Sequence, residues 1–305
     1  MSEMDRRRFL GALAAMPLFG VKGDATARPS GFRIQPEGRR IRVGYAAITW
    51  GGQDGQAIDE ISEVGFKGIQ LRASAFDAWG SAPDALRALL RQRGLTFAVL
   101  SSGNLKYDPA SAREQIELHT AHARFVRDAG GLQIQVIDEK PKDHVPGPDD
   151  FRRLGERMSE LGRRTAALGV PLVYHHHMNS TGEAPAAIDA ILAASDPASV
   201  GLLFDIAHYQ QGGGDPVRAI RTYATRIRAV HLKDVRPIDA APGYQWVELG
   251  RGRVDVKACV AALKDANYDG WAIVELDRVV DAGGSPKASA IANREYVVTQ
   301  LGLTV

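Results

Sequence analysis

The sequence predicts an α/β protein folded as a single (β/α)8 TIM barrel. Eight short apolar or β-branched stretches alternate with eight longer amphipathic stretches from residue 41 onward. This alternation gives parallel strands joined by right-handed crossovers, and eight such units close into a barrel. No Gly-x-Gly-x-x-Gly follows any of the short stretches, which weighs against the competing doubly wound dinucleotide fold. The length of 305 residues is normal for one barrel.

The predicted strands are short runs rich in Val, Ile, Leu and aromatic residues. In chain order they lie at 41–48, 68–72, 95–100, 132–137, 170–175, 200–205, 227–232 and 271–275. The predicted helices follow them one by one, and the second has Ser81 near its start and Gly94 just past its end. In chain order they lie at 56–64, 83–93, 110–128, 148–168, 184–194, 216–225, 254–266 and 286–301.

Composition excludes several classes of protein. With 45% hydrophobic and 24% charged residues the chain is globular, not disordered, collagen-like or a polytopic membrane protein. Its 38 lysines and arginines nearly balance 36 aspartates and glutamates, so it lacks the basic excess that nucleic-acid binding requires. The single cysteine, Cys259, excludes an internal disulfide and a cysteine-rich zinc site.

The N-terminus has the pattern of an export signal. Residues 5–10 read DRRRFL, an apolar run follows at 9–20, and Ala25-Thr26-Ala27 is a cleavage motif. Two arginines before Phe-Leu are typical of a twin-arginine signal. A short amphipathic N-terminal helix is the alternative interpretation.

The predicted organisation is therefore a twin-arginine-type signal peptide at 1–27, a linker at 28–40 and a catalytic barrel at 41–305. We expect cleavage near Ala27, export by the twin-arginine machinery, and a periplasmic or secreted protein. The apolar run is too short to span a bilayer and no lipobox cysteine is present, so no stable membrane anchor is expected. The sequence leaves homo-oligomer formation open.

Polar side chains collect at the ends of the last four predicted strands, where a barrel keeps its active site. Five of the eight histidines fall within residues 175–231. Because side chains alternate along a strand, His175 and His177 share one face and His176 points away. The residues that carry this pattern are His175, His177, Asp205, His208, His231, Lys233, Glu275 and Asp277.

Imidazoles and carboxylates from neighbouring strands suit a divalent Mn, Co, Zn, Fe or Mg ion. The predicted ligands, one from each strand end, are His175, Asp205, His231 and Glu275. Glu139 or His177 could take the place of His175. The alternative is a set of hydrogen-bonded barrel-mouth residues without metal.

Further residues are candidates for catalysis. Lys233 next to a cation would have a lowered pKa and could act as a base, or it could instead form an ion pair with Glu275 or Asp277. His177, Glu139 and Glu275 are the other candidate bases. His208, three residues after Asp205, could bind a substrate hydroxyl or orient a ligand.

Substrate contacts are predicted at the first two strand ends and after the seventh. Trp50 has a ring that can stack on a sugar or pack in the core. Gln70 and Arg72 end the second strand, and Arg236 follows the seventh; all three are candidates for substrate binding. The turn at Gly250-Arg251-Gly252 is expected to set a loop and not to hold a phosphate.

Taken in order, these motifs resemble the xylose-isomerase-like barrel superfamily, the sugar phosphate isomerase/epimerase group. They read YHHHM at 174–178, Asp205-x-x-His208, HLKDVR at 231–236, LGRG at 249–252 and GWAIVELD at 270–277. The likeness covers roughly residues 41–280 and is closest to the inosose dehydratase (2-keto-myo-inositol dehydratase) branch.

The resemblance implies a metal held by Glu, Asp, His and Glu. Asp205, His231 and Glu275 match the last three ligands, and His175 stands where the first glutamate would be. It also implies removal of an α-proton from a keto-sugar, keto-inositol or keto-glycoside, with isomerisation, epimerisation or β-elimination as the outcome. The familiar dehydratases are cytoplasmic, whereas this chain is expected to be exported.

Two other classes compete with this interpretation. An exported, non-catalytic sugar-binding barrel would keep the polar pocket but would not need aligned metal ligands. A metal-dependent endonuclease would need a basic surface, which the net charge of +2 does not supply.

Overall fold

A computed structural model describes residues 40–305 of the chain. The predicted signal peptide and all but the last residue of the predicted linker lie outside the described residues. The rest of the chain folds as predicted, because eight parallel strands close into one barrel with helices between them. Within residues 40–305, no helix is both long and apolar enough to cross a membrane.

The barrel strands are close to their predicted positions. They are β1 Ile41–Ala46, β2 Gly68–Arg72, β3 Thr96–Leu105, β4 Ile134–Asp138, β5 Leu172–His175, β6 Val200–Asp205, β7 Ile227–Leu232 and β10 Gly270–Val274. Two short strands, β8 Asp234–Pro237 and β9 Tyr244–Val247, form a separate antiparallel hairpin between β7 and β10. This hairpin is absent from the predicted elements.

The eight predicted helices are all present, with ends that differ by up to three residues. Two short helices, α2 and α7, and a 3-10 helix at Ala47–Trp50 are additional. The helices are α1 Asp54–Val64, α2 Ser74–Trp79, α3 Pro83–Gln92, α4 Ala112–Asp128, α5 Pro148–Ala166, α6 Pro185–Ala194, α7 Ile206–Gln211, α8 Pro216–Thr222, α9 Val256–Asp265 and α10 Pro286–Thr299.

Successive side chains of each strand point to opposite faces of the sheet and therefore pack into two separate cores. Side chains that point outward pack under the helices in a large apolar layer, and side chains that point inward form a smaller cluster inside the barrel. That inner cluster includes Val173, Leu203, Ala229 and Ile273. Two residues further along each of these four segments, the next side chain that points inward is polar. The inner apolar cluster, hereafter the apolar plug, therefore ends where polar side chains begin.

The bottom of the barrel interior is filled by one large ring. Trp271 on β10 packs inside the barrel, past β1, against Gly68 on β2, where an added Cβ would lie 2.2 Å from the indole. Glycine is required at residue 68 because any side chain would displace this ring. The plug closes the interior from below and leaves its carboxyl end open.

Candidate active site

Four buried side chains meet at the carboxyl end of the barrel. His175 ends β5, Asp205 ends β6, His231 lies in β7 and Glu275 directly follows β10. One ligand atom from each lies within 4.8 Å of the corresponding atoms of the other three. The register explains the convergence, since Asp205 pairs with His231 and the Glu275 amide donates to the carbonyl of Leu232. The four residues predicted as metal ligands therefore form one cluster.

Hydrogen bonds around the cluster fix the tautomer of His231. Gln70 donates from Nε2 to Oε2 of Glu275 over 3.3 Å, so its Oε1 faces His231 Nε2 at 2.9 Å. An amide oxygen only accepts, and therefore His231 carries its proton on Nε2. The Nδ1 lone pair of His231 is left free, 3.3 Å from Oδ2 of Asp205.

Three buried polar atoms of the cluster lack a hydrogen-bond partner among residues 40–305. They are Nδ1 of His175, Oδ2 of Asp205 and Nδ1 of His231. Buried polar atoms without partners are rare in folded proteins and call for a specific explanation. Converging nitrogen and oxygen lone pairs fit a divalent cation, and the Gln70–His231 bond is the outer contact that typically orients a metal-bound imidazole.

The backbone holds Asp205 in place. Its Oδ1 accepts from the amides of Ala207 and His208 at the start of α7, at 2.9 and 2.8 Å. Its own amide donates to Nε2 of His176 over 3.2 Å, and His176 points out of the barrel as predicted. Burial raises the pKa of Asp205, but the proximity of His231, the charge of Lys233 and the backbone amide of His208 outweigh burial, so the net shift is downward. Asp205 is therefore an anion with one oxygen free for the cluster.

Lys233 is a buried ammonium beside the cluster, held by two carboxylates. Its side chain is completely buried, with Nζ 2.9 Å from Oε1 of Glu275 and 2.5 Å from Oδ1 of Asp277. Burial lowers the pKa of Lys233, but the charges of Asp277, Glu275 and Asp205 more than offset it, and the net pKa is raised. The predicted lowering of the pKa assumes a cation beside Lys233 and stays a prediction. The alternative, an ion pair with both carboxylates, is what the structure shows.

His177 presents a free nitrogen toward the open end of the barrel. Its Nδ1 lies 2.6 Å from the carbonyl oxygen of Met178, which only accepts, so Nδ1 carries the proton and the Nε2 lone pair is free. Burial lowers the pKa of His177 and the charge of Lys233 lowers it further. His177 is therefore neutral near pH 7.

His208 has the opposite tautomer. The amide of Met178 donates to Nδ1 of His208 over 3.0 Å, which leaves its proton on Nε2. Nε2 lies 3.3 Å from Nζ of Lys233. Ligand atoms of His175, His177 and His208 also lie within 4.8 Å of one another. This second trio does not suit a cation, because Nε2 of His208 carries a proton and lies beside the Lys233 ammonium.

A buried carboxylate supports the loop that carries His177. Asp138, at the end of β4, accepts from the Tyr174 hydroxyl over 2.7 Å and from the backbone amides of Thr181 and Gly182. Gly182 lies so close to the Tyr174 hydroxyl that a Cβ would reach within 1.9 Å. Asp138 on β4 therefore holds the chain both before His177, at Tyr174, and after it, at Thr181 and Gly182.

A cavity of about 290 Å³, hereafter the catalytic cavity, opens onto the cluster. His175, His177 and Glu275 line it on one side. The rest of its lining includes Arg72 and the neutral polar side chains Gln70, Ser101, Asn104 and Gln135, hereafter the neutral wall. Oε1 of Gln135 is buried and has no partner within residues 40–305, so it is free to accept from a ligand hydroxyl.

Three predicted residues lie elsewhere. Trp50 is only 3% exposed and its indole donates to Glu60 Oε2 over 2.7 Å, so it is a core aromatic. Arg236 lies on the hairpin and bonds to Gln245 at the surface. Glu139 faces a different cavity, because β4 ends at Asp138 and the alternation no longer holds beyond a strand.

Sequence analysis missed Trp246 and the β3 residues Ser101 and Asn104. The Trp246 ring lies 4.4 Å from the His208 ring and 4.7 Å from Nζ of Lys233, covering the locked ammonium. A signal existed in the aromatic spacing Tyr244-x-Trp246. On β3, the strand runs further than predicted and its register with β4 shifts between Ser101 and Asn104.

The fold is a closed (β/α)8 barrel, and its site is a cluster of imidazoles and carboxylates at the carboxyl ends of the strands, of the kind that can bind a metal. The model of the family described as xylose isomerase-like TIM barrel matches residues 58–297. The chain belongs to that family, as the sequence motifs predicted, and is an enzyme of the isomerase, epimerase or dehydratase type.

Relatives and solved structures agree with this assignment. The inosose dehydratase of Lacticaseibacillus casei is 29% identical over 294 residues, which cover 84% of this chain and 96% of that protein. The inosose dehydratase of Geobacillus kaustophilus is 29% identical over 293 residues, covering 84% and 94%. The IolI protein, solved with a bound zinc atom, shares the fold at a TM-score of 0.74 and 15% identity, covering 86% of this chain and 98% of that one. An L-ribulose 3-epimerase shares it at 0.70 and 19%, covering 86% and 95%.

The predicted periplasmic or secreted localisation is wrong. The inosose dehydratases to which the chain is related are cytoplasmic enzymes. An arginine-rich start followed by a short apolar run is a compositional pattern, and composition alone does not separate an export signal from another N-terminal segment. The reason for expecting the twin-arginine machinery as a partner is removed as well.

Proposed function

We propose that this protein is a divalent-metal-dependent enzyme that removes the proton beside the carbonyl of a keto-sugar, keto-inositol or keto-glycoside. The observation that carries the proposal is that His175, Asp205 and His231 each bury a polar atom without a hydrogen-bond partner among residues 40–305. These three residues and Glu275 also bring ligand atoms within 4.8 Å of one another. The relatives named inosose dehydratase support a polyhydroxylated ring ketone as the substrate class.

The residues that would hold the ion are His175, Asp205, His231 and Glu275. When bound, the metal supplies the positive charge that polarises the substrate carbonyl and stabilises the enediolate. Glu275 is held by Lys233 through Oε1 and keeps Oε2 turned toward His231. His175 gives this site two imidazoles and two carboxylates, a donor set suited to Zn, Mn, Co or Fe.

His177 is the proposed general base. It lines the catalytic cavity, its Nε2 lone pair is free, and the bond from Nδ1 to the Met178 carbonyl orients the ring. A neutral imidazole that accepts the α-proton becomes an imidazolium, which can return the proton on the same face to the neighbouring carbon and so isomerise the ketone. Epimerisation at the α-carbon would need a second acid on the opposite face. If the oxygen on the next carbon leaves, the outcome is β-elimination.

The neutral wall of the catalytic cavity would bind the hydroxyl groups of the ring. Gln135 offers a free buried carbonyl oxygen, and Asn104 and Ser101 offer further polar groups. Amide and hydroxyl side chains both donate and accept, which matches the alternating requirements of a polyol. Arg72 lies at the rim of this wall.

The test combines metal analysis with proton exchange. Purified wild-type protein is expected to hold about one equivalent of a divalent metal by elemental mass spectrometry and to exchange the α-proton of 2-keto-myo-inositol for deuterium in D2O, read by NMR. Asp205→Ala is expected to lose both properties, and His177→Phe to keep the metal but lose exchange. A wild type that stays metal-free when Mn, Co and Zn are offered, or an Asp205→Ala variant that still exchanges, would refute the proposal.

A further inference from the structure

A second cavity lies directly beside the catalytic cavity. It has a volume of about 570 Å³, nearly twice that of its neighbour, and is hereafter the outer cavity. Ile48, Arg72 and Asp277 line both, so the two spaces share a wall. The outer cavity is within the size range of small-molecule sites. A ligand in the catalytic cavity that extended past this wall would enter the outer cavity.

One side of the outer cavity is aromatic. Tyr244 and Trp246, both on β9, have ring centroids 5.0 Å apart and planes at 61°. The Trp246 ring contacts the Lys233 ammonium, whose Nζ lies 4.7 Å from the ring centroid, and it also contacts the His208 ring. Aromatic rings arranged in this way favour a planar or ring-shaped group in edge-to-face or offset contact.

The outer cavity is also electropositive. Arg72 and Arg278 line it, and neither guanidinium makes a salt bridge or hydrogen bond with any residue from 40 to 305, although the charge of Arg72 acts to lower the pKa of the nearby Asp54. The carboxylate in its lining, Asp277, is engaged by Lys233. Two guanidinium groups without ion pairs in one lining are suited to an anionic group such as a carboxylate.

We infer that the outer cavity is a subsite for a planar ring bearing an anionic group, which forms the second part of a two-part substrate. The keto ring occupies the catalytic cavity and the bond joining the two parts crosses the shared wall at Arg72 and Asp277. This inference rests on the proposed function and deepens it, since it names a keto-glycoside of an acidic aromatic alcohol as the preferred substrate class.

Binding is tested first with fragments by isothermal titration calorimetry on the full chain. The fragments are 4-hydroxybenzoate, which has ring and charge, and phenol, which has the ring alone. We expect 4-hydroxybenzoate to bind at least tenfold more tightly than phenol, and Arg278→Ala and Trp246→Leu each to weaken it about tenfold. Arg91→Ala, an exposed arginine without ion pairs at the C-terminal end of α3, is the matched control and should bind like the wild type.

Fragment binding is also measured in Asp205→Ala, which is expected to lose the metal. If the carboxylate of the fragment were bound by the metal, binding would be lost in this variant, so we expect binding to survive. Loss in Asp205→Ala with retention in Arg278→Ala would place the fragment in the catalytic cavity and overturn the inference. Equal affinity for phenol and 4-hydroxybenzoate would overturn it as well.

Turnover supplies the second test. The ratio of kcat/KM for the 3-keto-glucoside of 4-hydroxybenzoate to that for methyl 3-keto-glucoside should be ten or more in the wild type and should fall toward one in Arg278→Ala. A wild-type ratio near one would refute the subsite. Absence of turnover for every ketone, with fragment binding intact, would instead count against the proposed function, so the two failures are distinguishable.

Discussion

Replacing Lys233 by methionine tests whether the buried ammonium holds the site together. Methionine is unbranched and adaptable, so the main change is loss of charge. Glu275, 6% exposed, and Asp277, 29% exposed, would each lose a partner within 2.9 Å. The two carboxylates would then face each other without a cation.

The expected cost is large. Removing one member of a buried ion pair destabilises a protein by about 3–5 kcal/mol, because the remaining charge is left unpaired. The partial exposure of Asp277 favours the lower part of this range, and the lost contact with the Trp246 ring adds to the cost. At about 2–4 °C per kcal/mol for a domain of this size, Tm should fall by about 6–20 °C.

The assay is thermal unfolding of chelator-treated protein at pH 7 by calorimetry. The matched control is Lys287→Met, which removes a solvent-exposed pair with Glu63 and should leave Tm nearly unchanged, because solvent screens such pairs. Adding Asp277→Asn to Lys233→Met should recover part of the loss, because it removes one of the two unpaired charges. A Lys233→Met protein as stable as the wild type would refute the assignment of Lys233 as a charged structural partner.

Three further predictions follow from single contacts. Asp138→Asn should lower kcat/KM about tenfold with metal content unchanged, since the amide keeps one acceptor oxygen for the loop that carries His177; loss of metal would contradict this. Burial holds the pKa of His119 at about 4, below its ordinary 6.5, so stability should fall by about 3 kcal/mol as pH drops from 6.5 to 4. Urea unfolding of His119→Leu should show a shallower pH slope. Gly68→Ala should cost about 1–3 kcal/mol by the same method, because its Cβ overlaps Trp271; unchanged stability would show that the ring moves freely.

The barrel was predictable because eight strand–helix units follow one another along the chain, and the charged cluster was predictable because side chains alternate along each strand. Val173 and His175, or Leu203 and Asp205, are two residues apart, so one count assigns the apolar plug and the polar ligand to the same face. The hairpin was not predictable, because β8 and β9 are four residues each and carry no apolar run.

Other errors arise where the outcome depends on contacts distant in sequence. Trp50 has an amphipathic ring, and only the fold shows that its indole nitrogen meets Glu60. Sequence analysis left open whether Lys233 acts as a base or pairs with a carboxylate, and the contact with Asp277 that forms the pair spans 44 residues. Neither a propensity nor a spacing contains that information.

The cluster and the neutral wall occupy opposite halves of the barrel, and this separation bears on how the enzyme could acquire new substrates. Residues on β5, β6, β7 and after β10 supply the charged groups, whereas β2, β3 and β4 supply Gln70, Ser101, Asn104 and Gln135. Among the hydrogen bonds of residues 40–305, Gln70 alone links this neutral set to the charged half. Mutations on β3 and β4 can therefore change the hydroxyl pattern that is recognised while the reactive half stays intact, which makes the scaffold evolvable one half at a time.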